Sequence, residues 1–253
     1  MTKEQKKESR TPVIEIKNLQ KSFGQLKVLS DINLNLYEQE NLVVLGKSGT
    51  GKSVLIKCIV GLLDPDKGEI NVFGRDVTHM KRKELNEMRL KIGFLFQSGA
   101  LYDSMSVREN MEFPLKRIKK DMGAKEMREK IMDVLENVGL ADALEKMPSE
   151  LSGGMRKRIG LARTIVVDPS IILYDEPTTG LDPTTSHEIS ELILEVQKKY
   201  KTSSIIITHD IPCARITGNR MVMLGGGEVY KEGSPQDFED SDDPVIQSFF
   251  KSI

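Results

Sequence analysis

The segment Gly46-Lys47-Ser48-Gly49-Thr50-Gly51-Lys52-Ser53 has the spacing G-x-x-x-x-G-K-[ST]. It follows a strand-like run, Leu42–Leu45, and opens a helical one, Ser53 to Leu62. Glycines at these positions let the backbone curl so that successive N–H groups point inward, where they can hold phosphate oxygens. The positive end of the helix dipole adds to the attraction. Lys52 supplies a mobile cation for the β- and γ-phosphates, and the Ser53 hydroxyl can ligate Mg²⁺. Such a loop needs a carboxylate on a neighbouring strand to hold the magnesium shell. Ile171-Ile172-Leu173-Tyr174 provides an apolar strand that ends in Asp175-Glu176. Strand ends of this kind line the ligand sites of open α/β sheets. Asp175 is the metal-side acid, and Glu176, one residue on, can face the γ-phosphate and polarise the attacking water.

A second anion-binding device lies between these two elements. Leu151-Ser152-Gly153-Gly154-Met155 leads into a basic helical start, Arg156-Lys157-Arg158. Ser152, Gly153 and Gly154 offer a hydroxyl, backbone donors and a helix N-terminus. One nucleotide needs a single phosphate loop, so the second grip makes sense if it serves the nucleotide of another copy. A plain loop-to-helix turn is the simpler alternative. Gln97 at the end of the strand Ile92–Phe96, and His209 after Ile205-Ile206-Ile207-Thr208, are candidates of weaker type. A strand-end glutamine is commonly only a solvated polar group, and a lone histidine is commonly structural.

In this order and spacing the set resembles the ABC ATPase family, over about Val13 to Gly233. Leu151–Met155 looks like that family's signature motif, with Met155 where Gln is commoner. Gln97 resembles its Q-loop glutamine, Gly180-Leu181-Asp182-Pro183 its D-loop, and His209 its switch histidine. The resemblance implies a P-loop NTPase core of RecA-like α/β type with a mostly parallel sheet, an antiparallel β subdomain and an inserted helical subdomain. It implies ATP and Mg²⁺ as ligands, with Gly46 to Ser53 and the following Val54 around the nucleotide. Phe23 is then placed to stack on adenine, although a core role is the ordinary one for a phenylalanine. Lys52, Gln97, Glu176 and His209 are implied as the hydrolytic set, and Ser53, Gln97 and Asp175 as the metal side. Two copies would face head to tail with two ATP molecules sandwiched between them.

Partners follow from the same resemblance. The segment Phe96-Gln97-Ser98-Gly99-Ala100-Leu101-Tyr102-Asp103-Ser104-Met105-Ser106-Val107 lies where ABC ATPases meet an integral membrane permease. Its wording is similar to the ATPases of Mla-type, MCE-associated phospholipid transporters. That likeness implies an MCE-domain protein, a small regulatory subunit and lipid traffic between inner and outer membranes. It also implies a cytoplasmic protein, peripheral on the inner face of the inner membrane. An importer or exporter of another small solute is the alternative cargo class. Non-transport ABC ATPases carry two such units or a long coiled-coil insert, and neither pattern is present.

The elements that must position these residues alternate strand and helix. Strand-like runs are Val13–Ile16, Leu42–Leu45, Ile70–Phe73, Ile92–Phe96, Ile171–Tyr174, Ser204–Ile207 and Met221–Leu224. Several are unbroken aliphatic runs, as expected of strands covered on both faces. Helical periodicity is clearest at Lys125–Val138 and Thr185–Tyr200. The alternation indicates an α/β fold with a largely parallel sheet. Residues from about 98 to 162 carry little strand signal and read as an inserted helical subdomain of a domain spanning 12–240. Residues 1–11 read as a flexible leader, and 241–253 as a tail with a short helix. That helix carries Val245, Ile246, Phe249 and Phe250 on one side, for packing on its own domain or on a partner subunit.

Composition is that of an ordinary globular chain of 253 residues, 38% apolar and 30% charged. The net charge of −1 provides no whole-chain basic field for nucleic acid, and none is expected as a partner. No apolar run reaches bilayer length, so a membrane role would come through partners. Cys58 and Cys213 stand far apart and read as reduced thiols.

Overall fold

A computed structural model describes residues 11–250. Of the expected leader only Thr11 is included, and tail residues 251–253 lie outside the described residues.

The chain runs β1 (Pro12–Phe23), β2 (Leu26–Tyr37), β3 (Asn41–Leu45), α1 (Lys52–Ile59), β4 (Lys67–Val72), β5 (Arg75–Asp76) and α2 (Arg82–Arg89). It continues with β6 (Ile92–Leu95), α3 (Val107–Ile118), α4 (Ala124–Asn137), α5 (Gly153–Ile165), β7 (Ile171–Asp175) and α6 (Pro183–Tyr200). The last elements are β8 (Ser203–Ile207), α7 (Ile211–Thr217), β9 (Arg220–Gly225), β10 (Glu228–Gly233), α8 (Pro235–Glu239) and α9 (Pro244–Phe250).

The unbroken aliphatic runs form the centre of the sheet, where side chains are covered on both faces. β9, β3, β8, β7 and β6 lie side by side in that order, all parallel. Their residues divide strictly by face. Val43, Leu45, Ile172, Tyr174, Ile206, Met221 and Met223 pack toward α3–α7. Leu42, Val44, Ile171, Leu173, Ile205, Ile207, Val222 and Leu224 pack toward α1 and the strands β1, β2 and β4. A strand alternates its side chains between faces, so two separate cores need apolar residues at every position.

β1 pairs antiparallel with β2 and β4, and β4 with the short β5. β10 joins this layer to the parallel strands, pairing antiparallel with β9 and touching β2 at Glu228 and Asp31. Arg220 reinforces the junction: its Nε and Nη2 donate to Glu40 at 2.8 and 2.9 Å, and its Nη1 to Glu232 at 2.7 Å. The fold is therefore the mixed α/β architecture expected, with its antiparallel strands grouped at one side.

Three strands go beyond the runs read from the sequence. β2, β5 and β10 are half-exposed and carry mixed polar residues, so they show no continuous apolar signal. β2 does contain the alternation Ile32, Leu34, Leu36 with Asp31, Asn33 and Asn35 between, which is the period-2 pattern of a one-faced strand. Residues 98–162 contain α3, α4 and most of α5, with short 3₁₀ turns and no strand. α9 lies within the tail, with Ile246 buried and Phe250 stacked on Phe238 at 6.0 Å between ring centres.

α5 packs closely on β6 and the loop that follows it. A Cβ on Gly160 would sit 2.9 Å from the Gly99 carbonyl oxygen and 3.0 Å from Leu95 Cδ1. Gly160→Val should therefore overpack the joint between α5 and the loop after β6. Chemical denaturation is expected to show a loss of about 1–3 kcal/mol.

Candidate active site

β3, β6, β7 and β8 point their carboxyl ends at one cavity of about 1020 Å³. The loop after β3 curls through residues 46–51 into α1. Gly51 there has φ +95°, and a Cβ would fall 2.7 Å from Leu29 Cδ2, so only glycine fits. Lys52 folds back into the loop, donating from Nζ to the carbonyls of Gly46 at 2.6 Å and Lys47 at 3.1 Å. Thr50 Oγ1 donates to the Lys47 carbonyl at 2.9 Å. Burial pushes the Lys52 ammonium below its ordinary pKa, while Glu176 and Asp175 act against that shift. The resulting loop is a curved set of backbone donors with a held cation, suited to an oligophosphate.

The two acids end β7 and are not on the strand beside β3. β8 lies between them and the loop, pairing with β3 on one side and β7 on the other. This corrects the expectation of a neighbouring strand. It has a chemical consequence, because His209, two residues past the end of β8, is set beside Glu176.

Ser53 Oγ donates to Asp175 Oδ1 at 3.5 Å. Burial, and then the charge of Glu176, raise the Asp175 carboxyl above the usual carboxylate range. A half-buried carboxylate in that condition gains from a cation. Ser53, Asp175 and Gln97 line the same cavity and offer only oxygen ligands, the hard donors that suit Mg²⁺. The residues present therefore fit that ion.

Glu176 has φ +51°, a left-handed conformation uncommon for a residue with a side chain. Contacts hold it there from several directions. Its N–H donates to the Ile207 carbonyl at 2.9 Å, and Thr179 Oγ1 donates to its carboxylate at 3.1 Å. His209 Nδ1 lies 2.8 Å from the same carboxylate oxygen. Lys157 Nζ donates to its carbonyl at 3.1 Å. Burial pushes the Lys157 ammonium down to about 8, against the opposing pull of Glu176 and Asp175.

Of the residues expected from the sequence, Phe23, Lys47, Ser48, Gly49, Gly51, Lys52, Ser53, Val54, Gln97, Asp175, Glu176 and His209 line this cavity. Gly46 and Thr50 belong to the loop but contribute no lining. Phe23 is 47% exposed at the cavity, not a core residue, with Lys21 Nζ 5.7 Å from its ring centre. Ser152, Gly153 and Gly154 are elsewhere. Ser152 caps α5, accepting from Met155 N at 3.2 Å, and with Gly153 it stands exposed. Gly153 and Gly154 instead approach the loop and first turn of α6 at Leu181 and Thr185.

Val28, Ile211, Ser248 and Phe249 also line the cavity, and sequence spacing did not point to them. Thr179 and Lys157 were missed as well. Lys157 had a readable signal: it shares a buried stripe of α5 with Leu161 and Thr164, where a lysine is out of place.

A separate groove of about 570 Å³ runs between α2, β6, α3 and α5. Tyr102 and Phe113 meet edge to face in it at 5.2 Å. The guanidinium groups of Arg163 and Arg117 lie 5.5 Å from these two rings respectively. Among the described residues neither has an ion pair.

Fold and cavity together define a P-loop ATPase. The family model described as ABC transporter matches residues 29–179. The chain is 42% identical over 236 residues to a probable ribonucleotide transport ATP-binding protein, mkl, of Mycobacterium leprae. That match covers 93% of this chain and 68% of the relative. It is 38% identical over 226 residues to the methionine import ATP-binding protein MetN of Vibrio vulnificus, covering 88% and 65%. The chain thus spans about two thirds of the length of these relatives.

Among solved structures it resembles the dimeric, post-hydrolysis ATP-binding cassette MJ0796 bound to ADP and Pi, with TM-score 0.79 and 33% identity, over 88% of this chain and 98% of that one. It also resembles cbiO1 of Clostridium perfringens, part of the cbiONQ transporter complex, with TM-score 0.84, 28% identity and 96% of each chain covered. This chain belongs to the ABC transporter family, and its class is that of the ATPase whose hydrolysis is coupled to transport.

Two substitutions test the cavity. Lys52→Ala removes the held cation, and phosphate release should fall by about 10²-fold or more. His209→Ala removes the side-chain contact to Glu176 and should slow release by a similar order, about 10²-fold, while ATP still binds.

Proposed function

We propose that this chain works as one half of an ATP-sandwich dimer that drives a membrane permease. The observation that carries this is the separation of the two phosphate grips. The loop at residues 46–53 faces the cavity, whereas Ser152 and Gly153 stand exposed outside it. A grip that cannot reach its own chain's nucleotide is useful to the nucleotide of a second copy. The dimeric state of the cassette MJ0796 supports the same arrangement.

Within each site the geometry supports the following roles. Phe23 offers its exposed face to the adenine ring. The loop's N–H groups and Lys52 hold the phosphates, and Ser53, Asp175 and Gln97 hold the metal side. When bound, Mg²⁺ neutralises phosphate charge. Glu176, kept in place by Thr179 and its own backbone bonds, orients and polarises the attacking water. His209 turns toward the γ-phosphate, and its link to Glu176 joins the two groups. Gln97 begins the loop that leads to the helical stretch, so loss of the γ-phosphate reaches the groove beside it. Because the terminal phosphate is gripped from both copies, hydrolysis releases the pair.

The groove between α2, β6, α3 and α5 is the surface for the permease. Its aromatic lining with Arg117 and Arg163 suits a short membrane-protein helix carrying a carboxylate. Among the described residues no helix is long and apolar enough to cross a membrane, so translocation falls to that partner. The relatives are named for ribonucleotide and methionine transport, which favours a small solute as cargo. Phospholipid is the second candidate, favoured by the wording of residues 96–107, and would bring an MCE-domain protein and a small regulatory subunit.

Glu176→Gln keeps shape and loses the base. It should bind ATP, sediment as a dimer with ATP and as a monomer with ADP, and hydrolyse at least about 10²-fold more slowly. Undiminished hydrolysis, or no ATP-dependent dimer, refutes the reading. Purification of the tagged chain from its native membranes then separates the cargo classes by mass spectrometry. Bound phospholipid with an MCE-domain protein selects lipid; a permease with a solute-binding protein and no enriched lipid selects the small solute.

A further inference from the structure

Lys157 lies on the first part of α5, the helix whose N-terminal turn is Ser152–Gly154, and is only 5% exposed. Among the described residues its ammonium makes no ion pair, and its hydrogen bond goes to the Glu176 carbonyl at 3.1 Å. A buried cation of this kind is costly unless something fixes its place. Here the fixing charges are Glu176 and Asp175, both of which favour its protonated form.

The carbonyl it holds belongs to a residue with an uncommon backbone conformation. Glu176 sits at φ +51°, and that same carbonyl also accepts from Thr179 N at 3.3 Å. A non-glycine residue in the left-handed region is strained and persists only where its surroundings over-determine it. Lys157 is one of the groups that do so, and it comes from a different element than the others. Ile207 and His209 belong to β8 and its end, and Thr179 to the loop after β7. Lys157 alone reaches in from α5.

We infer that Lys157 is a positioning residue that ties the signature turn of its own chain to the backbone of its own Glu176. This rests on the reading that Glu176 positions water and that Ser152–Gly154 grips the nucleotide of a second copy. In such a dimer each α5 touches one nucleotide at its tip and the hydrolytic glutamate of the other site about one and a half turns further on. With about 1.5 Å of rise per residue, the tip and Lys157 lie within two turns of one helix, so a shift of the tip on engaging phosphate also moves the donor to the Glu176 carbonyl. Filling one site then sets the water-positioning geometry of the other.

Lys157→Met keeps length and burial but removes the donor, and Lys157→Arg keeps a cationic donor. Both are made in the full chain and compared with native protein and Glu176→Gln. For Lys157→Met, ATP affinity should stay within about threefold and the thermal midpoint should hold or rise, since apolar replacement of a buried charge is tolerated. Its kcat should fall by about tenfold or more, with the Hill coefficient for ATP dropping toward about one. Lys157→Arg should recover most of the rate.

A kcat within about threefold of native overturns the inference, as does a fall matched by lost ATP affinity or thermal stability, which marks a merely structural role. Failure of Lys157→Arg to recover rate also overturns it, and so does a native protein that shows no cooperativity in ATP. Should Lys157→Met fail to fold, Lys157→Leu, which likewise has no donor, is read by the same criteria. Glu176→Gln separates the two levels: an inactive Glu176→Gln beside a fully active Lys157→Met removes this inference alone. An active Glu176→Gln removes the underlying function.

Discussion

Asp175 and Glu176 close a buried strand as adjacent acids, in a place where the loop opposite is shaped for a polyanion. Negative charge is thus concentrated where water is scarce, and Asp175 is held above the usual range by burial and by its neighbour. The chain offsets this with two buried lysines, Lys52 from the phosphate loop and Lys157 from α5. Each loses basicity through burial and regains part of it from the same two acids. The acids, the loop and the exposed turn of α5 are therefore connected by charge as well as by chain. Much of the surrounding fold serves to keep these four groups close without collapsing them into ion pairs: both lysines donate to backbone carbonyls instead.

The sheet makes that spacing possible. Parallel strands covered on both faces end together, and four of them deliver the loop, Gln97, the acid pair and His209 to one rim. With β8 inserted between β3 and β7, His209 stands beside Glu176 and the acids keep one strand's width from the loop. The antiparallel strands contribute Phe23 and Val28 at the far wall, so both layers of the sheet supply the cavity.

α5 is placed differently. It packs into the core on the helical side, with Gly160 allowing the loop after β6 to come close, yet its tip stays in solvent. One helix thus carries an exposed Ser-Gly-Gly turn at its tip and an inward contact to Glu176. The groove with Arg117 and Arg163 opens on the same helical side. Nucleotide, second copy and membrane partner would then all act on one set of helices, which is an economical way to make hydrolysis mechanical. Nothing in this machinery selects the cargo, and relatives of the same architecture carry names of unlike solutes.

Sequence alone determined what depends on local order. The run 46–53 specifies its own curl because glycine positions and the helix start lie within a few residues. The aliphatic runs 42–45, 171–174 and 204–207 declare doubly buried strands through composition. Strand order was not readable, because β8 enters between β3 and β7 through contacts made far apart in the chain. β2 and β10 were obscured by their exposure. The company kept by Glu176 was decided only by tertiary structure: Thr179, His209 and Lys157 reach it from separate elements, and its left-handed backbone is stable only where those elements meet. The separation of the phosphate loop from Ser152–Gly154 belongs to the same class, since motif spacing shows that both segments exist but only the packing of α5 turns one away from the other.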